Sequence, residues 1–265
     1  MAKPGSRHLF LSPHLDDVPF SCAGLIKKLT LAGDDVVFST FVTGDADGPL
    51  TPLGQRFHGV WNRGDRPYDT RREEDRRVAD FLGARLRHEG FLDAIYRKDE
   101  HGDAIYRDIP ELFAGLKPED RANVAAIAAR LAEIVAEEQP DVVYAPIGIG
   151  RHADHLSLVE AAQEVCLGKM PLRLYEEFPY ALGEFPAERP ITVKLGLELS
   201  GWKEAVSEFI DVDLAVRIGA ARLYPSQVPQ IFGSNAGMIE AMQRHAKQYE
   251  AHSGRERLWT PIATH

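Results

Sequence analysis

The sequence has 265 residues, of which 44% are hydrophobic and 27% are charged, and its formal net charge at pH 7 is −9. These proportions exclude disordered and fibrous classes, and the acidic balance, without a dense run of lysine and arginine, argues against nucleic acid as a partner. Because no uninterrupted apolar run approaches the ~20 residues of a membrane span and the N-terminus lacks the apolar stretch of a signal peptide, we expect no membrane span and a cytoplasmic location.

The first elements alternate between strand and helix. Apolar residues 9–11 predict a buried strand, the spacing of apolar residues over 22–32 predicts a helix with one buried face, and residues 36–42 predict a second buried strand. The two cysteines, Cys22 and Cys166, fall on the apolar stripes of predicted helices. We interpret them as small buried hydrophobic residues in a reducing compartment.

The polar residues 46–68 predict a long loop, which we interpret as part of a binding site, with a mobile flap as the alternative. Its candidate ligand-facing groups are Arg56, His58, Trp61 and Arg63. Residues 70–73 then have the form of a capping box at the start of a helix that ends at Gly83. Arg71 and Glu74 lie three apart on this helix, and their spacing favours a surface ion pair over an anion contact.

The alternation continues along the chain. The further predicted elements are a strand at 86–91, a helix over 120–139, a strand at 141–146, a helix over 158–166, a strand at 172–175, a hairpin over 191–210, helices over 214–224 and 236–249, and an extended piece at 258–262. This pattern predicts an α/β fold with a Rossmann-like, mostly parallel sheet, helices on both faces and strand order 3-2-1-4-5. We treat residues 1–265 as a single domain, with a core over 1–178 and a smaller irregular C-terminal extension over 179–265.

Two clusters of histidine and aspartate follow predicted strands. They are His14, Asp16 and Asp17 after the first strand, and His152, Asp154 and His155 after the fourth. In such sheets ligands bind beyond the carboxyl ends of the strands, where the strand order reverses, so we expect the clusters to meet there. A catalytic zinc usually has three protein ligands and an open position. His14 and Asp17 with either His152 or His155 therefore predict a site of two histidines and one carboxylate.

Asp16 remains for proton transfer, because adjacent residues point in different directions and Asp17 is assigned to the metal. Asp154 is placed to accept from a histidine ring N–H. Each cluster alone also has a purely structural interpretation: acidic residues favoured by a helix N-terminus in the first, and Asp154 as a helix cap in the second. The two clusters together favour a metal, and mixed nitrogen and oxygen ligands suit zinc without excluding iron, manganese or cobalt.

The motifs of these clusters resemble those of a known family. SPHLDD at 12–17, followed by SCAGLI at 21–26 and later by RHADH at 151–155, is similar to the PIG-L/LmbE-like family of zinc-dependent N-acetylglucosaminyl deacetylases, whose usual motifs are PHPDD and HPDH. YPSQ at 224–227 also resembles an element of that family. One departure concerns Gly150, which stands where some relatives have a tyrosine, so a tyrosine that assists the reaction has to come from elsewhere.

Carried over by position, the resemblance implies a role for each candidate. The implied zinc ligands are His14, Asp17 and His155. Asp16 is the implied general base, and His152, tuned by Asp154, is implied to stabilise the oxyanion and to protonate the leaving amine. The implied sugar contacts are Arg71 and Asp93.

The expected function is metal-dependent removal of the N-acetyl group from an N-acetylglucosamine-type sugar or glycoconjugate, with Zn²⁺ as the cofactor and Fe²⁺ as an alternative. The expected partner is a small N-acetylated sugar, and homo-oligomer formation stays open. One alternative is an amidase for another sugar-linked amide, such as a thiol conjugate. The other is a non-catalytic sugar- or nucleotide-binding module, which would have no need of Asp16 beside a complete ligand set.

Overall fold

The computed structural model describes residues 5–61, 64, 66–184, 190–202, 204–249 and 254–262. Its strands are β1 Arg7–Ser12, β2 Asp35–Val42, β3 Arg85–Phe91, β4 Val142–Pro146, β5 Leu172–Tyr175, β6 Ala205–Asp211 and β7 Arg255–Pro261. They form one sheet in the order β3-β2-β1-β4-β5-β7-β6. The first five strands are parallel, and β7 and β6 continue the sheet as antiparallel strands. The predicted order 3-2-1-4-5 is confirmed.

Helices cover both faces of the sheet. They are α1 Asp17–Leu31, α2 Pro52–Trp61, α3 Pro67–Leu82, α4 Ile109–Leu112, α5 Arg121–Glu138, α6 Ala153–Cys166, α7 Val193–Leu199, α8 Leu214–Ala221, α9 Val228–Phe232 and α10 Asn235–Gln248. One core packs α5, α6 and α7 against the sheet, and the other packs α1, α3, α8 and α10. Within the described ranges, none of these helices combines the length and the apolar character that crossing a membrane requires.

The burial of both faces explains why β1 reads as an uninterrupted apolar run. Leu9 and Leu11 belong to the first core, whereas Phe10 between them points into the second. Successive side chains of a strand point to opposite faces, so a strand covered on both sides is apolar throughout. The ring of Phe10 stacks on that of Tyr144 in the neighbouring strand β4, with centroids 4.0 Å apart. The two cysteines are buried and free, as expected.

The strand order reverses between β1 and β4, which is the topological switch point of the sheet. Residues that follow β1 and residues that follow β4 therefore lie side by side at the carboxyl edge of the sheet. Ligand sites of open α/β sheets form at this position.

Three local predictions are wrong. Helix α2 lies inside residues 46–68, which we expected to be a loop, while Arg63 falls outside the described residues. The proposed capping box is not used, because α3 already begins at Pro67, a residue whose fixed φ suits the first helical turn, and Thr70 is inside the helix.

The predicted hairpin over 191–210 is also wrong. The side chain of Thr192 accepts from the backbone N–H of Leu195 and caps α7, so the first half of this segment is helical. The second half is β6, whose antiparallel partner is the distant strand β7. Local periodicity carries no information about a partner so far along the chain.

Candidate metal and catalytic site

A tight turn after β1 sets the first half of the site. The hydroxyl of Ser12 donates to the carbonyl of His14 at 2.6 Å, and the backbone N–H of His14 donates to Asp17 Oδ2 at 2.8 Å. Asp17 is the first residue of α1, where the partial positive charge of the helix N-terminus favours a carboxylate. The turn thereby holds the His14 and Asp17 side chains close together.

Three ligand atoms from the two clusters converge. Asp17 Oδ2 lies 3.2 Å from His14 Nδ1 and 3.3 Å from His155 Nε2. The three side chains each offer one ligand atom, and these atoms lie within 4.8 Å of one another. His155 Nε2 is buried and has no hydrogen-bond partner among the described residues. Two imidazole nitrogens and one carboxylate oxygen suit a zinc-type divalent metal, so the residues present fit such an ion.

A carboxylate holds the far nitrogen of each of these histidines. His14 Nε2 donates to Asp154 Oδ2 at 3.0 Å, and His155 Nδ1 donates to Glu177 Oε1 at 3.2 Å. Histidines that bind metals usually donate their other ring N–H in this way, which fixes the tautomer and the ring orientation. With a metal bound, each ring would then present its other nitrogen, unprotonated, on the side of Asp17.

A second triple, His14, His152 and Asp154, also has ligand atoms within 4.8 Å of one another. It fits a metal less well, because both oxygens of Asp154 already accept hydrogen bonds. Oδ1 accepts from Arg97 Nη1, and Oδ2 accepts from His14 and from the backbone N–H of Ala94. The geometry favours the set of His14, Asp17 and His155.

Asp154 does not cap α6 with its side chain. His152 is the N-cap residue, and its Nδ1 accepts from the backbone N–H of Asp154 at 3.2 Å. The carboxylate of Asp154 lies 3.8 Å from His152 Nδ1 but 3.0 Å from His14 Nε2, so its closest histidine is His14. The resemblance had implied His152 as the histidine that Asp154 tunes.

Asp16 is the N-cap residue of α1, but its buried carboxylate makes no capping hydrogen bond to the helix. Its Oδ1 lies 3.6 Å from Arg71 Nη2. Burial raises the pKa of Asp16 to about 6, with a further contribution from the neighbouring Asp17 carboxylate, while the Arg71 guanidinium opposes the shift. A carboxylate with a pKa close to neutrality is suited to accept a proton during a reaction.

His152 is buried and lines a cavity that it shares with His14, Asp16 and Asp17. Because its Nδ1 accepts a hydrogen bond, Nε2 carries the ring proton of the neutral side chain. Burial, with smaller contributions from the nearby His14 and His155, lowers the pKa of His152 to about 3, against the opposing effect of Asp154. His152 is therefore a neutral hydrogen-bond donor in this structure.

Arg71 and Asp93 also line the cavity, and the predicted surface ion pair of Arg71 with Glu74 is wrong. Arg71 is 5% exposed and Glu74 is 3% exposed. Glu74 accepts from the backbone N–H of Ser226 at 2.9 Å and from its hydroxyl. The guanidinium of Arg71 lies 5.1 Å from the ring centre of Tyr68, whose hydroxyl donates to Asp93 Oδ2 at 2.6 Å.

These side chains surround a cavity of about 340 Å³. Six predicted residues contribute to its polar lining: His14, Asp16, Asp17, Arg71, Asp93 and His152. Most other described residues of the lining are aromatic or aliphatic. The volume falls in the range of small-molecule sites, roughly 300–1,000 Å³. Of the predicted site residues, His155 and Asp154 lie just behind this lining and contact it through His14 and Asp17.

Three residues near the site were not predicted from the sequence. Glu177 follows the carboxyl end of β5, and the rule that selected the two clusters could have selected it as well. Arg97 pairs with Asp154 from a segment without clear periodicity, so no local signal marked it. The ring of Tyr180 lies over Gly150, where an added Cβ would stand 2.2 Å from its Cδ1. A tyrosine thus fills the space beside Gly150 from another part of the chain.

The known proteins that are similar to this chain include three deacetylases. A curated relative, 2'-N-acetylparomamine deacetylase from Streptomyces fradiae, is 34% identical over 181 residues, which are 66% of this chain, and the chain spans 58% of the length of that relative. The zinc-inhibited form of teicoplanin deacetylase Orf2 has a TM-score of 0.83 and 28% identity, covering 98% of this chain and 99% of its own. The A40926 pseudoaglycone deacetylase Dbv21 has a TM-score of 0.76 and 26% identity, covering 98% and 100%.

The family comparison agrees with the geometry. Residues 9–166, which include both histidine and aspartate clusters, match the family described as "PIG-L: GlcNAc-PI de-N-acetylase". The match covers more than half of the chain, and the sheet order is the one predicted from the sequence. This chain belongs to the PIG-L family.

Proposed function

We propose that this protein is a metal-dependent hydrolase that removes the N-acetyl group from an N-acetylglucosamine-type sugar or glycoconjugate, giving acetate and a free amine. The observation that carries the proposal is the convergence of His14 Nδ1, Asp17 Oδ2 and His155 Nε2 beside the buried carboxylate of Asp16. The names of the relatives support the same reaction, since each is a deacetylase.

The proposed metal ligands are His14, Asp17 and His155, and the proposed ion is Zn²⁺, with Fe²⁺ as the alternative. When bound, such an ion lowers the pKa of a coordinated water and polarises a carbonyl oxygen. Asp154 and Glu177 hold the two histidine rings in the orientation that ligation needs.

The proton transfers are assigned to the residues on the cavity side. Asp16 accepts a proton from the attacking water, and its raised pKa is matched to that task. His152 donates a hydrogen bond from Nε2 to the oxygen that gains negative charge as the carbonyl is attacked. Because His152 is a neutral donor, Asp16 is the group that holds the proton needed by the departing nitrogen. Arg71 and Asp93 are proposed to contact the sugar.

The test is amine release from a panel of N-acetylglucosamine derivatives, measured with and without a chelator. The proposal predicts that acetate and amine are released in equal amounts and that the chelator abolishes their release. Release from a sugar-linked amide other than acetamide, with no release from any N-acetyl sugar, would favour the amidase alternative. Absence of hydrolysis from every amide, together with sugar binding, would favour a binding module.

A further inference from the structure

A second cavity borders Arg97 and is separate from the catalytic one. Its volume is about 320 Å³, and its lining comes from the stretch after β2, the stretch after β3 and the start of α5, together with Ile105. None of its described lining residues lines the catalytic cavity. Arg97 also donates from Nη1 to Asp154, the carboxylate that holds His14. One side chain therefore joins this cavity to the support of the metal site.

Three buried polar atoms on this lining have no hydrogen-bond partner in the described part of the chain: Arg97 Nε, Asp120 Oδ1 and Asn123 Nδ2. Arg97 is 7% exposed and Asp120 is 1% exposed. Their other atoms are paired, since Asp120 Oδ2 accepts from Arg97 Nη2 at 2.7 Å and from the hydroxyl of Tyr106 at 2.9 Å. Buried polar groups in folded proteins are nearly always hydrogen-bonded. Three such atoms on one lining indicate an occupant that pairs with them.

The volume and the apolar part of the lining favour a small organic molecule over water. Since water takes about 30 Å³ per molecule in the liquid, the cavity has room for roughly ten. Leu50, Leu92 and Tyr96 supply apolar surface beside the polar atoms. Water alone would leave these side chains hydrated, whereas a molecule with C–H faces and polar edges would cover them and pair with the polar atoms.

The charges around the cavity favour a neutral occupant. The ionised side chains of the lining are two cations and three carboxylates: Arg97, Lys98, Asp47, Glu119 and Asp120. Both cations are already paired, because Lys98 Nζ donates to the carbonyl of Pro49 at 2.7 Å and Arg97 is held between two carboxylates. An anion would therefore meet an excess of negative charge. A cation has no acceptor to offer the N–H of Arg97 Nε.

We propose that this cavity is a second ligand site, which binds a neutral polyhydroxylated molecule of about monosaccharide size. A hydroxyl both donates and accepts. The hydroxyls of one molecule can thus accept from Arg97 Nε and Asn123 Nδ2 and donate to Asp120 Oδ1, while its ring carbons cover the apolar side chains. The site does not depend on the proposed reaction, because its lining is separate from that of the catalytic cavity.

The probe is methyl β-D-glucopyranoside, and its binding to the metal-loaded protein is followed by ligand-observed NMR titration. Two comparison ligands change one property each. Methyl β-D-glucuronide adds a negative charge, and tetrahydropyran-2-methanol keeps the ring but lacks the ring hydroxyls. The glucoside should bind saturably and at least about tenfold more tightly than either, because only it is neutral and carries enough hydroxyls for all three atoms.

Matched variants locate the site. Asn123→Leu should weaken glucoside binding by at least about threefold, because it removes one donor at similar volume. Ala122→Phe places a ring on the lining and should abolish saturable binding. Asn235→Leu is the control, since Asn235 is exposed at the start of α10 and outside the lining, and it should bind as the unsubstituted protein does. Circular dichroism melts verify that the variants fold.

Each outcome decides the proposal. Binding that Ala122→Phe abolishes, Asn123→Leu weakens and Asn235→Leu retains would support it. Absence of saturable glucoside binding at the highest soluble concentration would overturn it and leave water as the occupant. Equal affinities for the three ligands would overturn the ligand class. Glucoside binding that survives Ala122→Phe would place the sugar in the catalytic cavity and overturn the second site. Amine release is measured separately, so failure of the proposed function would not alter these results.

Discussion

Glu177→Gln tests whether the buried carboxylate of Glu177 holds His155 in the orientation that metal binding needs. Glu177 is fully buried, and its two oxygens accept four hydrogen bonds. Oε1 accepts from Gly148 N at 2.7 Å and from His155 Nδ1 at 3.2 Å, while Oε2 accepts from Ile147 N at 3.1 Å and from Ile149 N at 3.4 Å. One carboxylate therefore fixes both the loop before His152 and the ring of His155.

The cost of the change follows from these contacts. A glutamine offers one acceptor oxygen, so in either orientation its NH₂ group faces two donors. Each buried donor left without an acceptor costs about 1–3 kcal/mol. With two such donors the melting temperature should fall by at least about 4 °C. Loss of the charged partner of a metal-binding histidine should also weaken metal affinity by about 10–100-fold.

Metal affinity is measured by competition with a chromophoric chelator, and stability by thermal melting of the same samples. Glu164→Gln is the matched control, because Glu164 is exposed on α6, the helix that carries His155. The control should behave as the unsubstituted protein does. Wild-type metal affinity in a folded Glu177→Gln protein would refute the claim that Glu177 orients His155.

Three further substitutions examine the catalytic assignments. Asp16→Asn should keep stoichiometric metal while turnover falls by about 10²–10⁴-fold, the usual contribution of a general base; near-full turnover would remove Asp16 from that role. His155→Ala should lose metal binding in equilibrium dialysis, and retained stoichiometric metal would point to another ligand. Gly150→Ala should lower stability and activity, because its Cβ would overlap the ring of Tyr180, whereas Gly59→Ala, with open space around it, should be tolerated. Equal melting temperatures of the two alanine variants would contradict the contact.

The sheet and the two histidine and aspartate clusters could be predicted because their sequence signals are local. The run ending at Ser12 had the apolar character of a strand buried on both faces, and the residues directly after it, His14, Asp16 and Asp17, included both metal-ligand types. The same reasoning found the cluster after β4. The alternation of strands and helices then predicted a parallel sheet, because parallel strands need crossover connections.

The partners of the ligands could not be predicted because they depend on tertiary contacts. Arg97 reaches Asp154 from a segment without periodicity, and Tyr180 reaches Gly150 from beyond β5. Arg71 and Glu74 had the spacing of a surface pair, yet both are buried because the C-terminal part of the chain covers α3 through Ser226. Spacing along a helix shows which residues share a face but not what later packs on that face.

The central claim is that one metal ion, held by His14, Asp17 and His155, supports N-deacetylation. The most direct measurement is a titration of the metal-free protein with Zn²⁺ up to one equivalent, in which bound metal and amine release from an N-acetylglucosamine glycoside are followed together. We predict that both rise in parallel and reach a plateau at one ion per chain. Full amine release by the metal-free protein, or one bound ion without any release, would contradict the account.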